Sequence, residues 1–209
     1  SFLIGLGMVL IAVPLGSLFA FLVTKTDLPF ARLFELLLLA PIFISAIILG
    51  IGFIVAFGPS GVVSGWVESL LGHVPWTIYT LPAIAVIAGL THVPYVYLYV
   101  ASTIQNVDAS LEEAARDLGA RGFQTFLHVT LPLAWPGVAA GALLALTLSL
   151  DDFVVTFFTA GPGATTLPLY IYSSVKLGVS PKVHALSSLI VGLSAFFLAL
   201  GYALSRRRL

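Results

Sequence analysis

FLIGLGMVLIAVPLGSLFAFLV, residues 2–23, carries no charged side chain and no alternation of polar with apolar positions. Wound as a helix at ~1.5 Å per residue, a run of this length crosses a ~30 Å hydrocarbon core. Four further runs have the same character: Leu33 to Phe57, Thr77 to Ala101, Leu133 to Phe158 and His184 to Leu204. A lipid-exposed backbone must satisfy its N–H and C=O groups within the segment, and barrel strands are alternating stretches of only ~10 residues. The expected fold is therefore all-α, a polytopic transmembrane bundle of about five spans in one domain over residues 1–209. Pro14, Pro41, Pro82, Pro94 and Pro136 interrupt these runs and predict kinks whose freed carbonyls neighbouring helices can satisfy.

The composition agrees. Hydrophobic residues make up 59% of the chain and charged residues only 9%, against about 25% charged in an ordinary soluble domain. A formal net charge of zero provides no basic field for nucleic acid. The absence of cysteine removes disulfides, thiol catalysis and cysteine metal sites. The chain opens at Ser1 inside an apolar run without a charged n-region, which reads as no signal peptide and as a fragment of a longer protein.

Lysine and arginine set the expected orientation, because cytoplasmic loops hold the excess. Lys25 and Arg32 follow the first run, Arg116 and Arg121 the third, and Arg206, Arg207 and Arg208 the fifth. Lys176 and Lys182 lie on the other side. This seven-to-two division predicts a cytoplasmic C-terminus. Between Gly161 and Lys182, Thr166 as a cap, Pro168 early in a turn and Gly178 to Pro181 as a stop predict a short helix at the outer interface.

The loop between the third and fourth runs, DASLEEAARDLGARGFQTFLHVTLP from Asp108 to Pro132, holds the most information. Ser110 with Glu113 predicts a capping box that starts a helix, and Gly119 a left-handed residue that ends it. Leu111, Ala114, Ala115 and Leu118 make one apolar face, with Glu112, Arg116 and Asp117 directed away. Phe123, Phe126 and Leu127 are candidate packing residues of a second helical stretch. Periodicity alone leaves two readings: a surface loop packed on its own bundle, or a helix that docks into a cleft of a partner. Glu113 likewise either closes the capping box or contacts the partner.

The anchors Glu113-Ala114-Ala115, Gly119 and Val129-Thr130-Leu131-Pro132 resemble, in identity and spacing, the EAA motif of binding-protein-dependent ABC importer permeases; Val129 stands where the family usually has Ile. The resemblance implies that residues 108–132 form the coupling loop, with Glu113, Ala114, Ala115, Gly119, Leu131 and Pro132 fitting a groove of a separate ATP-binding subunit. It further implies a type I importer in the bacterial inner membrane, surrounded by lipid, with a second permease subunit and a periplasmic substrate-binding protein. ATP and Mg would be used by the partner ATPase; none of Lys25, Lys176 or Lys182 follows a phosphate-binding Gly-x-x-x-x-Gly.

The fourth run contains Ser149-Leu-Asp-Asp-Phe-Val-Val-Thr-Phe-Phe. An intramembrane carboxylate costs at least ~2.5 kcal/mol and by default faces a cavity; at the outer interface it would instead cap a helix or pair with Lys176 or Lys182. Adjacent helical residues point ~100° apart, so Asp151 and Asp152 cannot face one cavity equally. Asp152 continues the small-residue stripe of Gly137, Gly141 and Ala145, whereas Asp151 sits one turn beyond Thr147, and either is a candidate. Unpaired acids favour a cationic substrate, with Phe153, Phe157, Tyr170 and Tyr172 as cation–π candidates or as interfacial aromatics. Residues 149–173 and the stretch through Ala185-Leu-Ser look like the spermidine/putrescine permeases, which implies polyamine import. Related permeases carry ferric iron, sulfate, opines or other organic cations with the same coupling motif.

Two other classes fare worse. A secondary transporter or channel has no need of a docking helix with this spacing. An intramembrane enzyme finds no Gly-x-Ser-x-Gly turn, and His73, His92, His128 and His184 lie too scattered for a helical metal site.

Overall fold

The computed structural model describes residues 1–26, 28–161, 165–178 and 181–206, with side chains of Phe123, Asp151, Leu177, Gly201 and 203–206 left aside. Arg207 and Arg208, and the side chain of Arg206, thus lie outside the described residues. Every regular element described is helical: α1 (Phe2–Lys25), α2 (Ala31–Phe43), α3 (Ala46–Phe57), α4 (Val62–Leu71), α5 (Leu81–Gln105), α6 (Ala109–Asp117), α7 (Gly122–Thr125), a π-helical turn (Phe126–Thr130), α8 (Leu131–Asp151), α9 (Val154–Thr159), α10 (Leu167–Leu177) and α11 (Pro181–Arg206). Five stretches are long and apolar enough to cross a bilayer: Phe2–Lys25, Ala46–Leu71, Leu81–Gln105, Phe126–Leu150 and Pro181–Leu200.

The second span is displaced from its expected place. The run from Leu33 does not continue to Phe57, because Ile44 and Ser45 are extended (ψ 133° and 137°) and divide α2 from α3. Pro41 sits in the last turn of α2 and offers no N–H to the preceding turn. The crossing stretch is α3 continued by α4. Pro82 also differs from expectation: it lies in the first turn of α5, where a missing N–H costs nothing, and Thr80 caps that turn by accepting from Ala83 N at 3.4 Å. Pro14, Pro94 and Pro136 are interior to α1, α5 and α8.

Helix α5 is the centre. Of its most apolar stretch 61% is buried, against 6% for α11, which packs on α8 and α10 at the rim. Met8, Ala12 and Ala20 of α1, Ala88, Val96, Tyr97 and Val100 of α5, and Ala134, Val138 and Ala145 of α8 form one core. Without a hydrophobic drive between helices in lipid, such a core depends on close approach of small residues. Gly137 and Gly141 put the backbone of α8 directly on α5, and a Cβ at Gly137 would fall 2.1 Å from Thr103 Oγ1 and 2.9 Å from the Tyr99 carbonyl oxygen.

Gly137→Ala is expected to destabilise the bundle by about 1–3 kcal/mol, because the obstructing backbone atom cannot rotate away. Gly52→Ala, with nothing within 4 Å of the new methyl, should cost nothing. Denaturant titration of both variants in detergent micelles distinguishes them, and equal midpoints would refute the close-approach account.

Candidate functional site

At one end of the bundle, α6 has the caps of a complete, self-contained helix. Asp108, not Ser110, is the N-cap: its Oδ1 accepts from Ser110 N at 2.9 Å, and this bond holds the Asp108 carboxyl below its ordinary value. The capping box expected of Ser110 and Glu113 is replaced by this earlier start. Gly119 does close the helix, at φ +89°. Its N–H donates to the Arg116 carbonyl (2.9 Å) and Ala120 N–H to that of Ala115 (3.0 Å), the two bonds of a Schellman motif.

The orientation of α6 separates the two readings of its apolar face. Leu111 is 48% and Leu118 90% exposed, with Ala114 and Glu113 also on the outside. Glu112 points away from the apolar face, as expected, but that side is turned into the bundle and leaves it only 7% exposed. Its Oε1 accepts from Lys25 Nζ at 2.8 Å and from Thr130 Oγ1 at 2.8 Å. Burial alone would raise the Glu112 carboxyl; the bonds from Lys25 and Thr130 and the charges of Lys25 and Arg116 outweigh it and hold it below its usual range. Sequence periodicity missed this residue because it marks where the apolar face lies, not which face meets the protein.

The segment from α6 into the membrane is irregular. Pro132 has no N–H for the His128 carbonyl, and the chain winds as a π turn in which Leu131 N–H reaches the Phe126 carbonyl. The Phe126 ring packs on Phe21 (centroids 4.3 Å), while Leu127 is 44% exposed and does not pack as expected. The side chain of Phe123 lies outside the described residues. Leu131 and Pro132 open α8.

At the far end of α8, about 30 Å away by helical rise, the run expected to continue to Phe158 breaks. Asp152 is extended (ψ 91°), and its Oδ1 accepts from Val155 N at 3.1 Å at the start of α9. The other oxygen, Oδ2, is buried with no hydrogen-bond partner among the described residues. Asp152 and Phe153 line a cavity of about 380 Å³ with Thr91, His92 and Tyr95 of α5, Pro41 and Ile42 of α2, and Leu49 of α3. His92 Nδ1 sits 2.8 Å from the Ala88 carbonyl. A carbonyl can only accept, so Nδ1 carries the proton and a neutral ring keeps its Nε2 lone pair as an acceptor. The Asp151 side chain lies outside the described residues.

The aromatic candidates separate. Phe153 stacks against Tyr172 (4.9 Å) and Phe157 (5.4 Å), behind the cavity lining. The Tyr172 ring already carries a cation, Lys176 Nζ at 4.9 Å. Tyr170 is exposed on α10. Helix α10 begins after Thr166 with Pro168 in its first turn, as expected, but the Thr166 hydroxyl donates to Thr156 Oγ1 (3.3 Å) instead of capping. Of the expected stop, Gly178 is left-handed at φ +120°, while Val179 and Ser180 lie outside the described residues.

Residues 12–209 match the family described as binding-protein-dependent transport system inner membrane component. The chain is 50% identical over 107 residues to the putrescine transport system permease protein PotI of Escherichia coli (strain K12), across 49% of this chain and 38% of that protein. To the spermidine/putrescine transport system permease protein PotC of the same strain it is 39% identical over 148 residues, across 71% and 50%. It thus spans at most about half the length of these curated relatives. It superposes, at 19% identity and TM-score 0.80, on a chain of a bacterial ABC transporter involved in the import of the acidic polysaccharide alginate, covering 98% of this chain and 77% of that one.

The Glu112 bonds make the seating of α6 depend on pH with a defined sign. A carboxyl depressed in the folded state contributes stability above its ordinary value of 4.5 and loses it as pH falls through the lower, folded value. A spin label at position 118 should therefore stay slow at neutral pH and gain mobility only below about pH 4.5. Glu112→Gln, losing about 1–3 kcal/mol of charge-assisted bonding, should be mobile throughout; identical profiles for the two would contradict the assignment.

Proposed function

The chain belongs to the family of binding-protein-dependent transport system inner membrane components, and from that premise we propose that it is a permease subunit of an ATP-driven importer of polyamines. It is a multi-pass membrane protein, and the proposed orientation puts the C-terminus, α6 and the basic loops in the cytoplasm. The partners are an ABC ATP-binding subunit, which uses ATP and Mg, a second permease subunit and a periplasmic substrate-binding protein. The observation that carries the reading is the outward apolar face of α6: Leu111, Ala114 and Leu118 are exposed on a helix capped at both ends and seated by Glu112. A loop packed for its own stability would bury that face. Glu113, Ala115 and Gly119 complete the surface offered to the ATPase.

The substrate charge is argued from Asp152. A carboxylate oxygen with no hydrogen-bond partner among the described residues, in a membrane-embedded cavity, is paid for only if something completes it, and the ammonium group of putrescine or spermidine does so. Similarity to PotI and PotC points the same way. The alginate transporter shares the fold while importing an acidic polysaccharide, so the fold itself does not select a cation. Phe153 shapes the cavity wall, and Tyr172, covered by Lys176, plays no direct part.

The test is ATP-dependent uptake of labelled putrescine and spermidine into vesicles holding the full-length permease with its partner subunits. Asp152→Asn should lower uptake roughly tenfold or more, as loss of a charged partner worth about 1.5–3 kcal/mol implies. Gly119→Pro, incompatible with φ +89°, should leave the protein inserted and stop coupled uptake. Uptake of an anion with polyamines ignored would overturn the substrate assignment, and normal uptake in Gly119→Pro would overturn the coupling assignment.

A further inference from the structure

Among the described residues of α6, Glu112 alone is buried, and its contacts run to two different membrane helices. Lys25 is the last residue of α1, and Thr130 is the last residue of the π turn that leads into α8. The chain itself joins α6 to α5 through residues 106–108 and to α8 through α7. It does not join α6 to α1; the Lys25–Glu112 pair, the one ion pair among the described residues, does that. Its side chains are 20% and 10% exposed, so salt screens it less than a surface pair.

We propose that Glu112 is the joint through which displacement of α6 is passed to α1 and α8 together. This rests on the reading of α6 as the helix that docks on the ATPase. An apolar contact slides under load, whereas two charge-assisted bonds meeting on one carboxylate oxygen fix both distance and direction. Lys25 hands the movement to α1, which packs along α5 and α8 over its length. Thr130 hands it to α8, whose other end breaks at Asp152 beside the cavity. Both helices that move with Glu112 therefore border the core around α5, and one of them terminates at the proposed substrate site. Glu112 is a positioning residue: it touches neither nucleotide nor substrate.

The test uses the whole transporter, with ATPase, second permease and binding protein, in proteoliposomes, measuring phosphate release and labelled putrescine uptake on the same samples. In Glu112→Gln and Lys25→Met, hydrolysis should continue while uptake per ATP falls roughly tenfold, a typical size for coupling between sites. The exchanged pair, Lys25→Glu with Glu112→Lys, should recover most of the ratio, since the Thr130 hydroxyl accepts from a lysine as readily as it donates to a glutamate. An unchanged ratio in both single variants overturns the joint. Loss of the ATPase from both, unrepaired by the exchange, overturns it too and leaves Glu112 as a residue that keeps α6 folded. Leu118→Asp tests the underlying reading separately: it should release the ATPase, and retained ATPase with normal uptake in that variant refutes docking by α6 whatever Glu112 does.

Discussion

A polar group held in hydrocarbon without a partner costs several kcal/mol, and the polar side chains of this chain are arranged around that constraint. Thr24, Thr147 and Thr159 fold their hydroxyls back onto the carbonyls of Ala20, Leu143 and Val155, at 2.6, 2.9 and 2.7 Å. Glu35, a carboxylate on α2, receives the Tyr97 hydroxyl of α5 at 2.8 Å. Glu112 receives Lys25 and Thr130. Asp152 departs from the pattern, with one oxygen bonded to the backbone and one bonded to nothing described. Ser17 and Ser194 also have unpartnered hydroxyls, but a neutral hydroxyl costs far less to bury than a carboxylate.

The same constraint explains what could be read before the fold was known. A span must be long and apolar, so five spans were legible, and small residues must mark close approach, so the Gly137, Gly141 and Ala145 face was legible too. Gly119 was legible because few residues tolerate a left-handed conformation. The break at Ile44 and Ser45 was not, since apolar residues flank it directly on both sides and Pro41 predicted only a kink; α2 packs on α5 and α3 on α9. Aspartate and serine are both good N-caps, so whether Asp108 or Ser110 starts α6 is beyond local pattern. Glu112 and His92 escaped for a shared reason: each owes its role to partners distant in sequence, Lys25 and Thr130 for one, the Asp152 cavity for the other. Periodicity reports the faces of a helix but not what each face meets.

Helix α8 unites the two ends. It begins at a π turn imposed by Pro132 and ends at an extended aspartate, while its middle is pressed on α5 through glycines. Both irregularities fall at its termini, where a change in backbone angle reorients the element without disrupting its packed face. The π turn takes up the first residues of the Phe126–Leu150 span. At the loop end it leaves the His128 region beside α6, outside the close-packed middle. The close-packed part of α8 thus lies between two irregular ends, and α6 is fastened at one of them.

A solved structure of the same fold belongs to a transporter involved in the import of an acidic polysaccharide, so the fold alone does not fix the charge of a solute; on the proposed reading that falls to the side chains lining the cavity. Here the lining is mostly apolar, with Thr91, His92, Tyr95 and Asp152 as its polar members. Asp152 lies in a break between two helices, where the backbone is extended and a different residue disturbs no helical ladder. Exchanging the charge there still costs the bond from Val155 N that starts α9, about 0.5–2 kcal/mol for a lost cap. The face of α8 that packs on α5 cannot be altered so freely, because Gly137 has no room for even one methyl group. On the proposed reading, the tight helix faces hold the frame and the side chains of the cavity set the charge of the solute.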